Sequence, residues 1–395
     1  MRRMMVVAVL ACAMLSVGTA WAQDQATGEG GAAPAASAAA EQPSLQQQIE
    51  DLRARLSELE AMLAESKEAT SRELYAISDA QSKFVTGEKV KISGYIQSQF
   101  TSDQAADPRT DFRVRRARIK VQAPVTNMAS GTIEFDTTRT VELKEAFLDL
   151  GRTTDIWRLR FGQAKVPFMY DILQSSSVRL APEQTAVAQY VFPGEYDQGL
   201  WLQFNNALGD SVPGTTLDLG VQNGQGPNAT ELDNTKDIVA RLRFVLGDTP
   251  PDKDTEANSL YIGYLNGEMT DSKTIVTTDK TGIGGGLSYL LGPAWFRGEY
   301  LTGEKSGHDY AGWYGQLACE VPGTPGTLFA RYERFDEDTG KSGNLFSDLT
   351  VGYQHQIDPK TRATLAYEFR DPESGYSKFA KTDGNLLTAR VQVKY

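Results

Sequence analysis

One ten-residue stretch combines a high density of basic residues with the spacing of a strand. Phe112-Arg-Val-Arg-Arg-Ala-Arg-Ile-Lys-Val121 holds five basic residues, and Ala117, Ile119 and Val121 alternate with Arg116, Arg118 and Lys120. Period two is the spacing of a strand, so one face is apolar and the other basic. Phe112 and Val114 run in the opposite phase, which predicts a bulge near Arg115 and Arg116. Arg113 and Arg115 join the basic face only if that bulge forms; otherwise they sit at a subunit interface. A second strand pattern places Arg158 and Arg160 opposite Trp157, Leu159 and Phe161. A lone cation facing lipid costs roughly 2–4 kcal/mol at the bilayer midplane. Arg116, Arg118, Lys120, Arg158 and Arg160 are therefore expected to face a wet lumen, with Lys165 beside them. A ring of cations attracts anions, and arginine forks suit phosphate oxygens. The competing reading is the solvated face of an ordinary antiparallel sheet.

Other chemistry is poorly supplied. His308 and His355 are the only histidines, and neither joins a Ser-His-Asp pattern. Gly282-Ile-Gly-Gly-Gly286 precedes no helix pattern, so a nucleotide loop is not expected. Asp336-Glu-Asp338 reads as a solvated rim loop. Cys12 falls in the leader and Cys319 stands alone, so neither an intrachain disulfide nor a cysteine metal site is expected. The expectation is a protein that is not an enzyme and carries no metal or cofactor.

The elements that position these residues follow in chain order. Arg2 and Arg3, the apolar run Met4–Leu15 and Ala20-Trp-Ala22 form a secretory signal over residues 1–22. Val9-Leu-Ala-Cys12 is a weak lipoprotein-box alternative. Without Arg2 and Arg3, the 40 Lys plus Arg become 38 against 51 Asp plus Glu, a net of −13. Such acidity argues against nucleic acid as a partner. Residues 23–43, rich in Ala, Gln, Gly and Pro, read as a flexible linker. Leu45, Ile49, Leu52, Leu56, Leu59 and Leu63 then form a heptad seam, so 44–66 is expected to be an oligomerising coiled coil, or else one docked amphipathic helix. Residues 67–89 are a polar connector.

Residues 90–395 follow period two in about sixteen segments, with eighteen as the alternative. Several tight connectors, such as Gly292-Pro293 and Asp358-Pro-Lys360, follow even segments, and longer polar ones follow odd segments. That is the organisation of an all-β transmembrane antiparallel barrel. The longest connector, Pro167–Gln198, carries Tyr170, Arg179, Tyr190, Phe192 and Tyr196. It is expected to fold inward as a constriction loop; a flap or subunit latch is the alternative. The last segment ends Leu387, Ala389, Val391, Val393, Tyr395, a lipid face closing on an aromatic.

At Phe112–Arg118, Lys144-Glu-Ala-Phe147, Phe161-Gly-Gln-Ala-Lys-Val-Pro-Phe168, Asn223-Gly224 and Ala330-Arg-Tyr-Glu-Arg-Phe335, the chain resembles the phosphate-selective porin (porin O and P) family of Gram-negative outer membranes. The resemblance covers roughly residues 90–395. It implies a homotrimeric sixteen-stranded porin in outer-membrane lipid, with an inward third loop, passing small anionic solutes such as phosphate. It also implies a periplasmic coiled coil and assembly through machinery that engages the C-terminal strand. Glu195 and Asp197 stand where an anion-binding porin would carry basic residues. A structural anchor, its coil spacing or touching the cell wall, is the alternative function.

Overall fold

The computed structural model describes residues 90–138, 140–153, 155–209, 212–247, 258–270, 276–377 and 383–395. The expected signal peptide, linker, coiled coil and connector lie outside these residues. The strands are β1 (Lys91–Asp103), β2 (Thr110–Pro124), β3 (Ala129–Asp136), β4 (Glu142–Leu150), β5 (Trp157–Lys165), β6 (Tyr196–Asn205), β7 (Thr215–Gln222) and β8 (Asp237–Val245). They continue as β9 (Ser259–Thr270), β10 (Thr277–Leu291), β11 (Ala294–Lys305), β12 (His308–Val321), β13 (Gly326–Asp336), β14 (Leu345–Asp358), β15 (Thr361–Pro372) and β16 (Leu386–Lys394). Two short helices, α1 (Tyr170–Leu173) and α2 (Ala186–Val191), lie between β5 and β6.

Each strand pairs antiparallel with the next, and β16 pairs with β1 to close a sixteen-stranded barrel. Closure leaves no strand edge, the condition for a sheet to sit in lipid. Alternation decides which side chains face which solvent. In β16, Val391 and Val393 are exposed outside, whereas Thr388, Arg390 and Gln392 are buried inside. Aromatics mark both ends of the apolar outer band: Phe112 and Phe369 near one rim, Trp157 and Tyr395 near the other.

The connectors depart from the expected alternation at several places: the link after β3 is short, those after β6 and β8 are long, and the one after β11 is a tight turn. The sequence pattern suggests strands at Ala294–Leu301 and Trp313–Val321; β11 and β12 extend beyond both facing ends and meet in Ser306-Gly307, both at positive φ. The hairpin ladder runs on beyond the apolar band, so polar residues there belong to strands and not to a loop.

The closing seam depends on Gly94. Its N–H donates to the Tyr395 carbonyl at 3.3 Å, and the Tyr395 N–H returns a bond at 3.1 Å. The Tyr395 hydroxyl lies over Gly94 and donates to the Arg118 carbonyl at 2.8 Å, joining β16, β1 and β2. A Cβ at Gly94 would collide with both the Arg118 carbonyl and that hydroxyl. Gly94→Val is therefore expected to lower the temperature at which the compact form is lost on semi-native gels. Tyr395→Phe removes one hydrogen bond and should weaken the barrel by about 1 kcal/mol. Wild-type melting of both variants would show that the seam does not depend on this contact.

Candidate functional site

The basic strand carries the expected bulge. β1–β2 pairing passes from Gln97 opposite Arg116 to Ser98 opposite Val114, leaving Arg115 as the extra residue. Phe112 and Val114 consequently point outside with Ala117 and Ile119, while Arg115, Arg116 and Arg118 lie inside.

These cations are not bare. Arg118 bonds Glu134 at 2.7 Å and Asp136 at 2.8 Å. Lys120 reaches Glu145 at 2.5 Å. Arg160 forks onto both oxygens of Asp149 at 2.8 and 2.9 Å, with Arg158 3.9 Å from the same carboxylate. Lys165 bonds Glu195 at 2.7 Å and donates to the carbonyls of Ile172 and Gln174. Cations this enclosed need partners, and β3, β4 and the long connector supply them. The wall is a lattice of alternating charge. Asp197 accepts from Gln222 and the Gly224 N–H and is nearly inaccessible, so it belongs to the wall.

The connector 166–195 folds into the lumen. Its apolar residues, among them Phe168, Met169, Ile172, Val187 and Val191, pack on inward-facing Val239, Leu265, Leu301, Phe335 and Phe346 of β8, β9, β11, β13 and β14. Gly312 lets α2 approach, because a Cβ there would stand 2.6 Å from the Cβ of Val187. Glu299 fastens the loop's first turn. It accepts from the Tyr170 N–H at 2.6 Å, the Asp171 N–H at 3.0 Å, and the hydroxyls of Tyr261 and Tyr314, each at 2.6 Å. One side of the lumen is thereby filled with protein.

Space remains on the other side. A cavity of about 970 Å³ is bordered on the wall by Arg113, Arg115, Arg116, Arg118, Arg370 and Arg390 together with Asp103, Asp136, Glu142 and Glu368, and on the loop by Glu183, Gln184, Gln189 and Glu195. A second, of about 540 Å³, opens among the short turns, beside Lys360, Arg362 and Lys394. The loop lies between them, since Arg390 donates to the Pro182 carbonyl and Arg362 to the Arg179 carbonyl.

Of the expected constriction residues, Tyr170 and Phe192 are buried against the wall and do not edge the cavity. Arg179 is buried beside Asp171, 3.5 Å away. Tyr190 packs edge-on against Tyr310 and tilted against Phe335, while its carbonyl accepts from Lys305. These four anchor the loop. The loop's cavity edge is made by residues the sequence reading passed over, Glu183 above all.

Glu183 meets three guanidiniums. Arg115 donates to it at 2.9 and 2.8 Å, Arg116 at 2.7 Å, and Arg390 at 2.8 Å. Burial pushes this carboxyl up, but the charges of Arg116, Arg115 and Arg390 outweigh burial and hold it well below the usual carboxylate range. Gln97 and Gln99 accept from Arg116 and Arg390 and fix their planes. No group of His, Cys, Asp and Glu that could hold a metal occurs among the described residues.

Residues 90–244 match the family model described as phosphate-selective porin O and P, so the likeness read in the sequence is borne out over these residues. Solved porins share the barrel. OmpF of Salmonella typhi, in complex with daunomycin, gives a TM-score of 0.62 at 11% identity, covering 78% of this chain and 98% of that one. OmpT of Vibrio cholerae, in its trimer form, gives 0.59 at 12%, covering 78% and 99%. An anion-selective porin from Comamonas acidovorans gives 0.54 at 14%, covering 78% and 99%. At such identity the likeness is one of fold. No curated protein matches the chain in sequence.

The four bonds into Glu299 make a direct prediction. Glu299→Ala leaves two hydroxyls and two N–H groups without their acceptor, each worth roughly 1–3 kcal/mol when buried. The loop should loosen, raising single-channel conductance and exposing the connector to protease. Unchanged conductance and digestion would mean that Glu299 does not hold the loop.

Proposed function

We propose that this protein is an outer-membrane porin through which small solutes diffuse passively, with a moderate preference for anions. The observation that carries the anion preference is the convergence of Arg115, Arg116 and Arg390 on a single carboxylate, which leaves positive charge in excess where loop and wall meet. Fixed cations in a narrow channel attract anions and repel cations. The net charge of −13 does not oppose this, because exposed loop acids are screened within about 8–10 Å. One similar barrel is itself described as an anion-selective porin.

The proposal extends to a homotrimer, in keeping with the trimer form of one similar barrel. Small outward residues of neighbouring strands β15, β16 and β1, such as Ala363, Ala389 and Ser98, offer a face on which a second subunit can pack closely. The coiled coil at 44–66 would join subunits on the periplasmic side, and the C-terminal strand would engage the assembly machinery. A purely structural anchor is not favoured, since an anchor needs neither a charged lumen nor an inward loop.

Reversal potential in a KCl gradient tests the reading. Wild type should favour chloride. Replacing Arg116, Arg118, Arg158 and Arg160 by Ala removes four cations and leaves Asp149, Glu134 and Asp136 in place. The potential should therefore cross zero toward cation selectivity. A cation-selective wild type, or a variant of unchanged selectivity, would refute the assignment.

A further inference from the structure

Both oxygens of Glu183 are saturated by donors from outside its own loop. Oε1 receives Arg115 Nε at 2.9 Å, Arg390 Nη2 at 2.8 Å and, more weakly, Arg116 Nη1 at 3.4 Å. Oε2 receives Arg115 Nη2 at 2.8 Å and Arg116 Nη2 at 2.7 Å. Arg115 thus grips the carboxylate as a two-pronged fork, a geometry matched to two coplanar oxygens.

Two of the three donors have holding contacts besides Glu183. Gln97 holds Arg116 at 3.0 Å and is itself fixed by the Ser176 carbonyl and Gln392. Gln99 accepts from both Nε and Nη2 of Arg390. The loop backbone has such contacts too. Arg331 donates to the Glu183 carbonyl at 2.8 Å, and Arg390 Nη1 donates to that of Pro182 at 2.9 Å. The Glu183 side chain can leave while Arg116, Arg390 and the loop backbone keep these other contacts, and Arg115 is left free to fork onto an incoming carboxylate. It also has somewhere to go: it is 27% exposed and borders the 970 Å³ cavity.

From this we infer that Arg115, Arg116 and Arg390 form a carboxylate-binding site, and that Glu183 is its displaceable resident. A solute carboxylate entering from the cavity takes the two-oxygen position as the Glu183 side chain swings aside, and returns it on leaving. The resident keeps three clustered guanidiniums from repelling one another in the empty channel and prevents any one anion from being held too long. This deepens the porin reading and names carboxylate-bearing small molecules as solutes that pause at the site.

The test uses the full-length protein with acetate, succinate and inorganic phosphate as probes. Glu183→Ala vacates the site, and Glu183→Gln keeps the shape without the charge; heat-modifiable gel migration checks that each folds. Current interruptions by succinate should reach half-block at a concentration about tenfold or more below wild type in Glu183→Ala, since the charge-assisted bonds to Glu183 become free for solute. Glu183→Gln should gain less, and Arg390→Ala in the Glu183→Ala background should lose the gain. Calorimetric titration of detergent-solubilised protein with succinate should follow the same order. Equal half-block in wild type and Glu183→Ala overturns the displaceable resident. Phosphate binding Glu183→Ala as well as succinate overturns the carboxylate assignment. Succinate binding without any conductance sinks the channel reading and leaves this site standing, whereas conductance with neither block nor binding sinks the site alone.

Discussion

An irregular backbone segment can lie at membrane depth only if its N–H and C=O groups find partners other than water. The connector 166–195 meets that demand through the side chains of the wall. Glu299 and Glu333 accept from N–H groups at the starts of α1 and α2. Lys165, Lys305, Arg331, Arg362 and Arg390 donate to its carbonyls. The inward-facing charges are thus structural before they are selective. They are a large part of what allows the loop to be inside at all.

The loop's apolar side and its polar edge then divide the lumen. Phe168, Val187 and Val191 meet inward apolar residues on β8 to β14, where packing excludes water. Glu183, Gln184, Gln189 and Glu195 face β1, β2 and β16, where the arginines lie. The space that remains is eccentric and bounded by charge on both sides. Because many wall cations have a carboxylate within reach, anion preference rests on the places where guanidiniums outnumber acids, and Glu183 marks one of them.

Much of this was legible in the sequence, for physical reasons. Period two is enforced by two solvents on opposite sides of one sheet, so strand order, the closing strand and the faces of Arg116, Arg118, Arg158 and Arg160 could be read directly. The bulge at Arg115 showed as a phase change between Val114 and Ala117. The acid partners did not show. Glu134, Glu145 and Asp149 come from other strands, and which of them meets which cation depends on register, which no local pattern encodes. The loop's inward course could be read, but not which of its residues would edge the open space. Tyr170 and Phe192 looked like constriction residues because aromatics in a long loop invite that reading, yet burial inside a half-filled barrel uses them as packing. Glu183 carried one available signal, an acid within a largely uncharged loop destined to face an arginine-rich strand.

The central claim is that one side of the connector is dry and the other lines the path. Two positions on α2, Val187 and Gln189, separate these surfaces within a single helical turn. With Cys319 changed to Ser, Val187→Cys and Gln189→Cys can each be exposed to a charged methanethiosulfonate reagent while single-channel current is recorded. The account predicts rapid modification and a drop in current for Gln189→Cys, and no reaction for Val187→Cys, which is 1% exposed and packed against Gly312. Comparable reaction rates at both positions would show that water surrounds the loop, and would contradict the half-filled lumen.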